Sequence, residues 1–219
     1  LSMSIITNVR TIRLEQFPNS IWVEIETDEN LTGLGEAWRG TAAIETIIHH
    51  DICPWLIGQD SRNIELISRT LLTPYVGFHS ASAEVRAASA IDIALMDIKG
   101  KVLNVPIYEL LGGKVNDSIR CYASQLQFGW CDKIGPYGKP EEYRMIAKYA
   151  LDDGYDAIKI DFTQIGPDGT HLPKSECEGI PSRTFMKMVE DRMKAVRDLG
   201  YDFDLIVENH CRTDAVSAV

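Results

Sequence analysis

From residue 118 onward the chain alternates strand and helix, and no other feature restricts its fold so strongly. Residues 118–124, 156–162 and 204–210 read as strands. The first helix between them opens with Pro140-Glu141-Glu142, the right chemistry for a first helical turn, and stops before Gly154. The second begins near Ser182, carries Phe185, Met188, Val189, Met193, Val196 and Leu199 on one stripe, and ends at Gly200. Strands joined through helices predict parallel βαβ units. A long polar loop, residues 163–182, is expected to serve as a lid or an oligomer contact. Residues 212–219 read as the start of a further helix.

The first half has a different pattern. Residues 4–38 predict a three-stranded antiparallel sheet, with Ile21 to Thr27 alternating at period two and a tight turn at Asp28-Glu29-Asn30. The return strand contains Gly33 and Gly35 but no third glycine and no helix directly after, so it fails as a dinucleotide fingerprint. These glycines read as strand kinks or close backbone approaches. Helices are expected over 41–57, 61–72 and 83–103. The last has Val85, Ala88, Ile91, Leu95, Ile98 and Val102 on one stripe, and its alanine-rich turns allow a neighbour to come close. Pro106 suits the start of a short helix over 107–111, which Gly112-Gly113 closes.

The pattern therefore divides into an α+β domain, 1–115, and a strand–helix domain, 116–219. Three strands cannot close a barrel, and an eight-stranded one takes ~250 residues. We expect the sequence to be the front part of a longer chain. The class is α/β.

Charge narrows the partners. Thirty-two acidic against twenty-two basic residues leave a net charge of −10, which argues against nucleic acid or an anionic membrane. No apolar run approaches the ~18 residues that span a bilayer. Five cysteines with no C-x-x-C pair imply reduced thiols and a cytoplasmic setting.

The chemistry-bearing stretch is Asp204-Leu-Ile-Val-Glu-Asn-His210. Alternation along a strand puts Ile206, Glu208 and His210 on one face, with Leu205 and Val207 toward the helices. A carboxylate and an imidazole leaving a strand end suit metal binding and proton transfer, or simply a solvated terminus. In Lys159-Ile160-Asp161, both charged side chains share a face. Trp38 and Arg39 could line a substrate pocket, since arginine pairs bidentately with carboxylates. His49 and His50 read as surface or core residues, His79 as loop material and His171 as part of the 163–182 loop.

The run Ala88-Ala-Ser-Ala-Ile-Asp-Ile-Ala-Leu-Met-Asp-Ile-Lys-Gly-Lys101, followed by Val105-Pro-Ile-Tyr-Glu-Leu-Leu-Gly-Gly113, resembles the enolase superfamily in its mandelate racemase and muconate-lactonising branch. The resemblance implies an α+β capping domain before a modified (β/α)8 barrel, of which about three strands are present here. It implies Mg²⁺, with a metal-bound carboxylate losing its α-proton to a base. Glu208 matches the first metal ligand, usually an aspartate. His210 matches the histidine that, in acid-sugar dehydratases of this branch, protonates the departing β-hydroxyl. Lys159 would hold the substrate carboxylate. Asp161 stands where many relatives carry a lysine base, and it could pair with Lys159, bind a substrate hydroxyl or orient His210. The resemblance thus points to a dehydratase of a sugar acid, a small carboxylate, in a homo-oligomer. A racemase, epimerase or cycloisomerase is the alternative within the family, and a non-catalytic sugar-acid-binding relative the alternative outside enzymes.

Overall fold

The computed structural model describes residues 4–73 and 81–218. His79 lies outside the described residues. The chain divides into two units, Leu1–Asp117 and Ser118–Val219.

In the first unit, β1 (Ile6–Ile12), β2 (Ser20–Thr27) and β3 (Thr32–Trp38) form an antiparallel sheet in that order. Alternation along β2 buries Ile21, Val23 and Ile25 on one face. The helical stretch after β3 is α1 (Thr41–Thr46), a π-helical turn at Ile47–Ile52 and α2 (Cys53–Leu56). Sequence periodicity predicts one helix there and carries no sign of the inserted turn. α3 (Ile64–Leu72) leads to α4 (Ala83–Leu103), and α5 (Ile107–Leu110) ends in two left-handed glycines, Gly112 and Gly113.

The seam between β3 and α4 organises this unit. A Cβ on Gly35 would lie 1.9 Å from the Ala90 carbonyl oxygen, and one on Gly33 would lie 2.0 Å from that of Ala94. Strand and helix backbones therefore touch, which only glycine facing alanine allows. The two glycines are close backbone approaches. Polar bonds pin the edges of the seam: Asp97 accepts from the Leu34 N–H at 2.9 Å, and Lys101 donates to the Thr32 carbonyl at 2.5 Å. The buried stripe of α4 is Ala87, Ala88, Ala90, Ile91, Ala94, Leu95 and Ile98, wider than the expected one, while Val102 is exposed.

In the second unit, β4 (Ala123–Ser124), β7 (Ala157–Asp161) and β8 (Asp204–Glu208) form a parallel sheet in the order β4-β7-β8. A hairpin of β5 (Gly129–Trp130) and β6 (Lys133–Ile134) follows β4. α6 (Pro140–Asp152) and α7 (Arg183–Arg197) pack together, with Arg144 donating to the Ala195 carbonyl at 3.1 Å. Glu142 caps α6 by accepting from the N–H groups of Gly138 and Lys139. Tyr143, Ile146, Ala147, Ala150, Ile158, Ile160, Phe162 and Val196 make the core.

Three expectations change here. The strand over 118–124 shrinks to Ala123–Ser124, because its ladder partner β7 begins only at Ala157; Ile119 is 78% exposed. β8 stops at Glu208, where its register with β7 ends at Asp161. Residues 212–218 form turns rather than a helix, with Asp214 accepting from the N–H groups of Val216 and Ser217.

Candidate active site

β7 and β8 lie in parallel register, with Lys159 opposite Ile206 and Asp161 opposite Glu208. That register lets Lys159 reach along the adjacent strand, and its Nζ stands 2.7 Å from Glu208 Oε2. The Tyr122 ring, from the segment before β4, lies 5.6 Å from the same ammonium. Hydrogen bonding to Lys159, helped by the His210 N–H, holds the Glu208 carboxyl below its ordinary value; Glu208 in turn raises Lys159. Both groups are therefore charged at neutral pH.

His210 does not share a strand face with Glu208. It sits in the turn after β8 with φ +50°, and Cys211 follows at φ +57°. Two successive non-glycine residues in the left-handed region store strain of about 1–3 kcal/mol each. Side chains hold the turn in place. Glu208 Oε1 accepts from the His210 N–H at 2.7 Å, Asn209 Oδ1 accepts from the Cys211 N–H at 3.1 Å, and Asn209 donates to Thr213 at 2.6 Å. Val207 is 51% exposed rather than packed against helices, since β8 is an edge strand among the described residues.

Asp161 goes elsewhere. It is 1% exposed, and its Oδ1 accepts from the Thr163 N–H at 2.8 Å and the Thr163 hydroxyl at 2.7 Å. Its Oδ2 is buried without a partner. The carboxylate thus holds the turn that leaves β7, and it pairs with neither Lys159 nor His210. The sequence could not show this, because an Asp-x-Thr turn and a strand-end acid look alike until the strand's end is known.

The loop over 163–182 is braced rather than free. Gln127 donates to Gln164 at 3.0 Å, the rings of Phe128 and His171 lie 5.7 Å apart, and Arg212 donates to the Leu172 carbonyl at 2.7 Å. Asp214 accepts from the Gly179 N–H at 2.9 Å. A lid would need these bonds to break.

Trp38 and Arg39 belong to the first unit. Trp38 is 60% exposed at the end of β3, and the Arg39 guanidinium stands 5.9 Å from its ring. Arg39 has φ +68° and is held by its N–H on the Asn19 carbonyl at 2.7 Å. His49 contacts the Thr11 hydroxyl at 2.9 Å. His50 is exposed.

The fit to Mg²⁺ is partial. Glu208 offers one hard carboxylate, suitable as one ligand of an octahedral ion that keeps waters and takes oxygens from its substrate. Among the described residues no three His, Cys, Asp or Glu side chains converge on one point.

Residues 7–112 match the family described as mandelate racemase/muconate lactonizing enzyme, N-terminal domain. A crystal structure of an enolase-superfamily member from Salmonella Typhimurium superposes with a TM-score of 0.87 at 37% identity, covering 99% of this chain and 57% of that one. The N-terminal domain belongs to this family, and the whole chain is similar to enolase-superfamily structures. The chain's fold is accordingly that family's N-terminal domain followed by a β/α unit with three parallel strands. Among curated relatives, the D-galactonate dehydratase of Ralstonia nicotianae is 43% identical over 120 residues, which cover 54% of this chain and 30% of that protein. The D-xylonate dehydratase of Haloferax volcanii is 35% identical over 157 residues, covering 71% of this chain and 36% of that protein. The chain thus spans about a third of the length of these relatives. No described helix is long and apolar enough to cross a membrane.

Proposed function

We propose that this protein is a Mg²⁺-dependent dehydratase of a sugar acid, an aldonate or aldarate, giving a 2-keto-3-deoxy acid. The observation that carries the reading is the end of β8. A charged Lys159–Glu208 pair stands directly before a strained turn that presents a histidine. Strained non-glycine backbone beside paired charges is characteristic of functional sites. The named relatives that act on galactonate and xylonate support the substrate class.

In this reading Glu208 is one oxygen ligand of the metal, which when bound would offset charge developing on the substrate carboxylate. Lys159, kept protonated by its acidic neighbour, binds that carboxylate. His210 donates a proton to the β-hydroxyl as it leaves, a general-acid role that an imidazole ring can fill. Asp161 holds the exit of β7 in place and takes no part in proton transfer, because both carboxylate oxygens are enclosed. Trp38 and Arg39 enter only as candidate contacts for a carboxylate.

The test is to screen aldonates and aldarates with Mg²⁺ for 2-keto product, in ordinary and deuterated water. Dehydration that falls about 10²-fold or more in His210→Asn supports the assignment. Full dehydration in that variant removes His210 as the acid. Deuterium entering the α-position without loss of water would instead mark a racemase or epimerase. Neither product nor exchange, with sugar acids still bound, would mark a non-catalytic relative.

A further inference from the structure

Among the described residues the largest fully buried side chain is an arginine whose hydrogen bonds go to backbone carbonyls rather than to a carboxylate, with Asp161 and Glu142 near enough to favour its charge. Arg192, on α7, is 0% exposed. Its Nε and Nη2 donate to the Gly138 carbonyl at 3.0 and 2.5 Å, and its Nη1 donates to the Phe162 carbonyl at 2.8 Å. The Tyr143 ring lies 5.0 Å from the guanidinium carbon. Burial lowers the arginine's pKa and pushes Tyr143 up to about 12. Taking a cation out of water costs several kcal/mol, and an apolar residue of similar volume would fill the space more cheaply. Carbonyl dipoles, a π-face and the nearby charges of Asp161 and Glu142 offset part of that cost, and all three bonds of the fork go to the two carbonyls, whose relative position the arginine therefore fixes.

Those carbonyls belong to different connections. Gly138 ends the segment after β4, and Phe162 begins the loop after β7. The two segments touch backbone to backbone, since a Cβ on Gly138 would lie 2.2 Å from the Gly166 carbonyl oxygen. Phe162 directly follows Asp161, whose carboxylate shapes the turn through Thr163. Both segments leave the C-terminal ends of the parallel strands, the end at which barrel enzymes bind substrate.

We propose that Arg192 is a positioning residue, a fork that fixes the loops after β4 and β7 relative to each other and thereby shapes the sugar-acid site. The role in the site rests on the dehydratase reading; the clamp itself does not. Arginine suits it because a planar fork bonds two acceptors at set angles, which lysine cannot do.

The test compares Arg192→Met, which keeps bulk, with Arg192→Lys, which keeps charge, by amide hydrogen exchange on the intact protein and by steady-state kinetics on the sugar acid. In Arg192→Met the amides of Tyr137, Thr163, Gly166 and Leu172 should exchange about tenfold faster while Ile158–Asp161 keep their protection. KM should rise about tenfold with kcat changing far less, and Arg192→Lys should recover part of both. Unchanged exchange in those loops would overturn the proposal. So would equal loss of protection in β7 and the loops, or failure of both variants to fold, since either makes Arg192 a general strut. Should the wild-type protein turn over no sugar acid, the functional reading fails, and the exchange measurements alone decide the clamp.

Discussion

The two units bury different kinds of polar group. Among the described residues of the first, the buried polar side chains are small hydroxyls: Ser4, Thr27, Thr41 and Ser61. In the second they are Gln127, Asp161, Thr163 and Arg192, two of them ionisable. The first unit is held by apolar packing and by a seam in which backbone meets backbone. The second bears the desolvation of charged groups around the exit of β7. Shape carries the first unit, whereas the second gives up packing economy to fix polar atoms, as a site requires.

Two substitutions press hardest on this contrast. Glu208→Gln removes the charge paired with Lys159 but only partly exposed bonds. We expect sugar-acid turnover to fall about 10³-fold, equivalent to ~4 kcal/mol in the barrier, while urea midpoints move little. A large loss of stability with proportionate loss of activity would show that the pair holds the sheet rather than the chemistry. Gly35→Ala is the counterpart in the first unit. Its new methyl would meet the Ala90 carbonyl, and two packed backbones cannot yield as a flexible side chain can. A cost of about 3 kcal/mol is expected, at the upper end of ordinary overpacking, with α4 and β3 losing exchange protection together and β7 and β8 unaffected. A stable Gly35→Ala protein would break the account of the seam.

How legible each unit was in the sequence follows the same division. Gly33-Leu-Gly35 and the alanines of α4 signalled a close approach because both signals are periodic, and periodicity survives in a single sequence. The strand order of the second unit was readable for the same reason. Its site was less so. Whether Asp161 faces Lys159 or Thr163 depends on where β7 stops, and that depends on its register with β8 rather than on any local pattern. His210 looked like a strand residue because nothing in Glu-Asn-His announces a left-handed turn. Arg192 escaped notice in an otherwise apolar stripe, although its spacing of four from both Met188 and Val196 put it on the buried face. An arginine at an inward position was the available signal.

Asp161→Ala tests whether the buried polar groups of the second unit act as a fixed set. It removes both bonds to Thr163 and leaves a buried hydroxyl and N–H without their acceptor, so a loss of about 1–3 kcal/mol is expected. Because Arg192 bonds the next carbonyl along, combining Asp161→Ala with Arg192→Met should cost measurably less than the two separate losses added together. Strict additivity would mean that the two residues stabilise unrelated parts of the unit, and the contrast would weaken to a matter of composition.

The smallest expected effect is electrostatic and belongs to the first unit. Arg62 holds the Asp60 carboxyl at about 2, below its ordinary 3.8, through bonds of 2.5 to 3.1 Å. The carboxylate is favoured in the folded state, so the contribution is fully present above pH 3.8 and disappears as pH falls toward 2. Solvent screens a pair this near the surface, so its contribution is small. Asp60→Asn should therefore lower the unfolding free energy slightly at pH 7, with most of that difference gone by pH 2, as read by urea titration. An undiminished difference at pH 2 would assign the stabilisation to hydrogen bonding of the neutral group, and the first unit would then depend on polar geometry more than its small buried hydroxyls suggest.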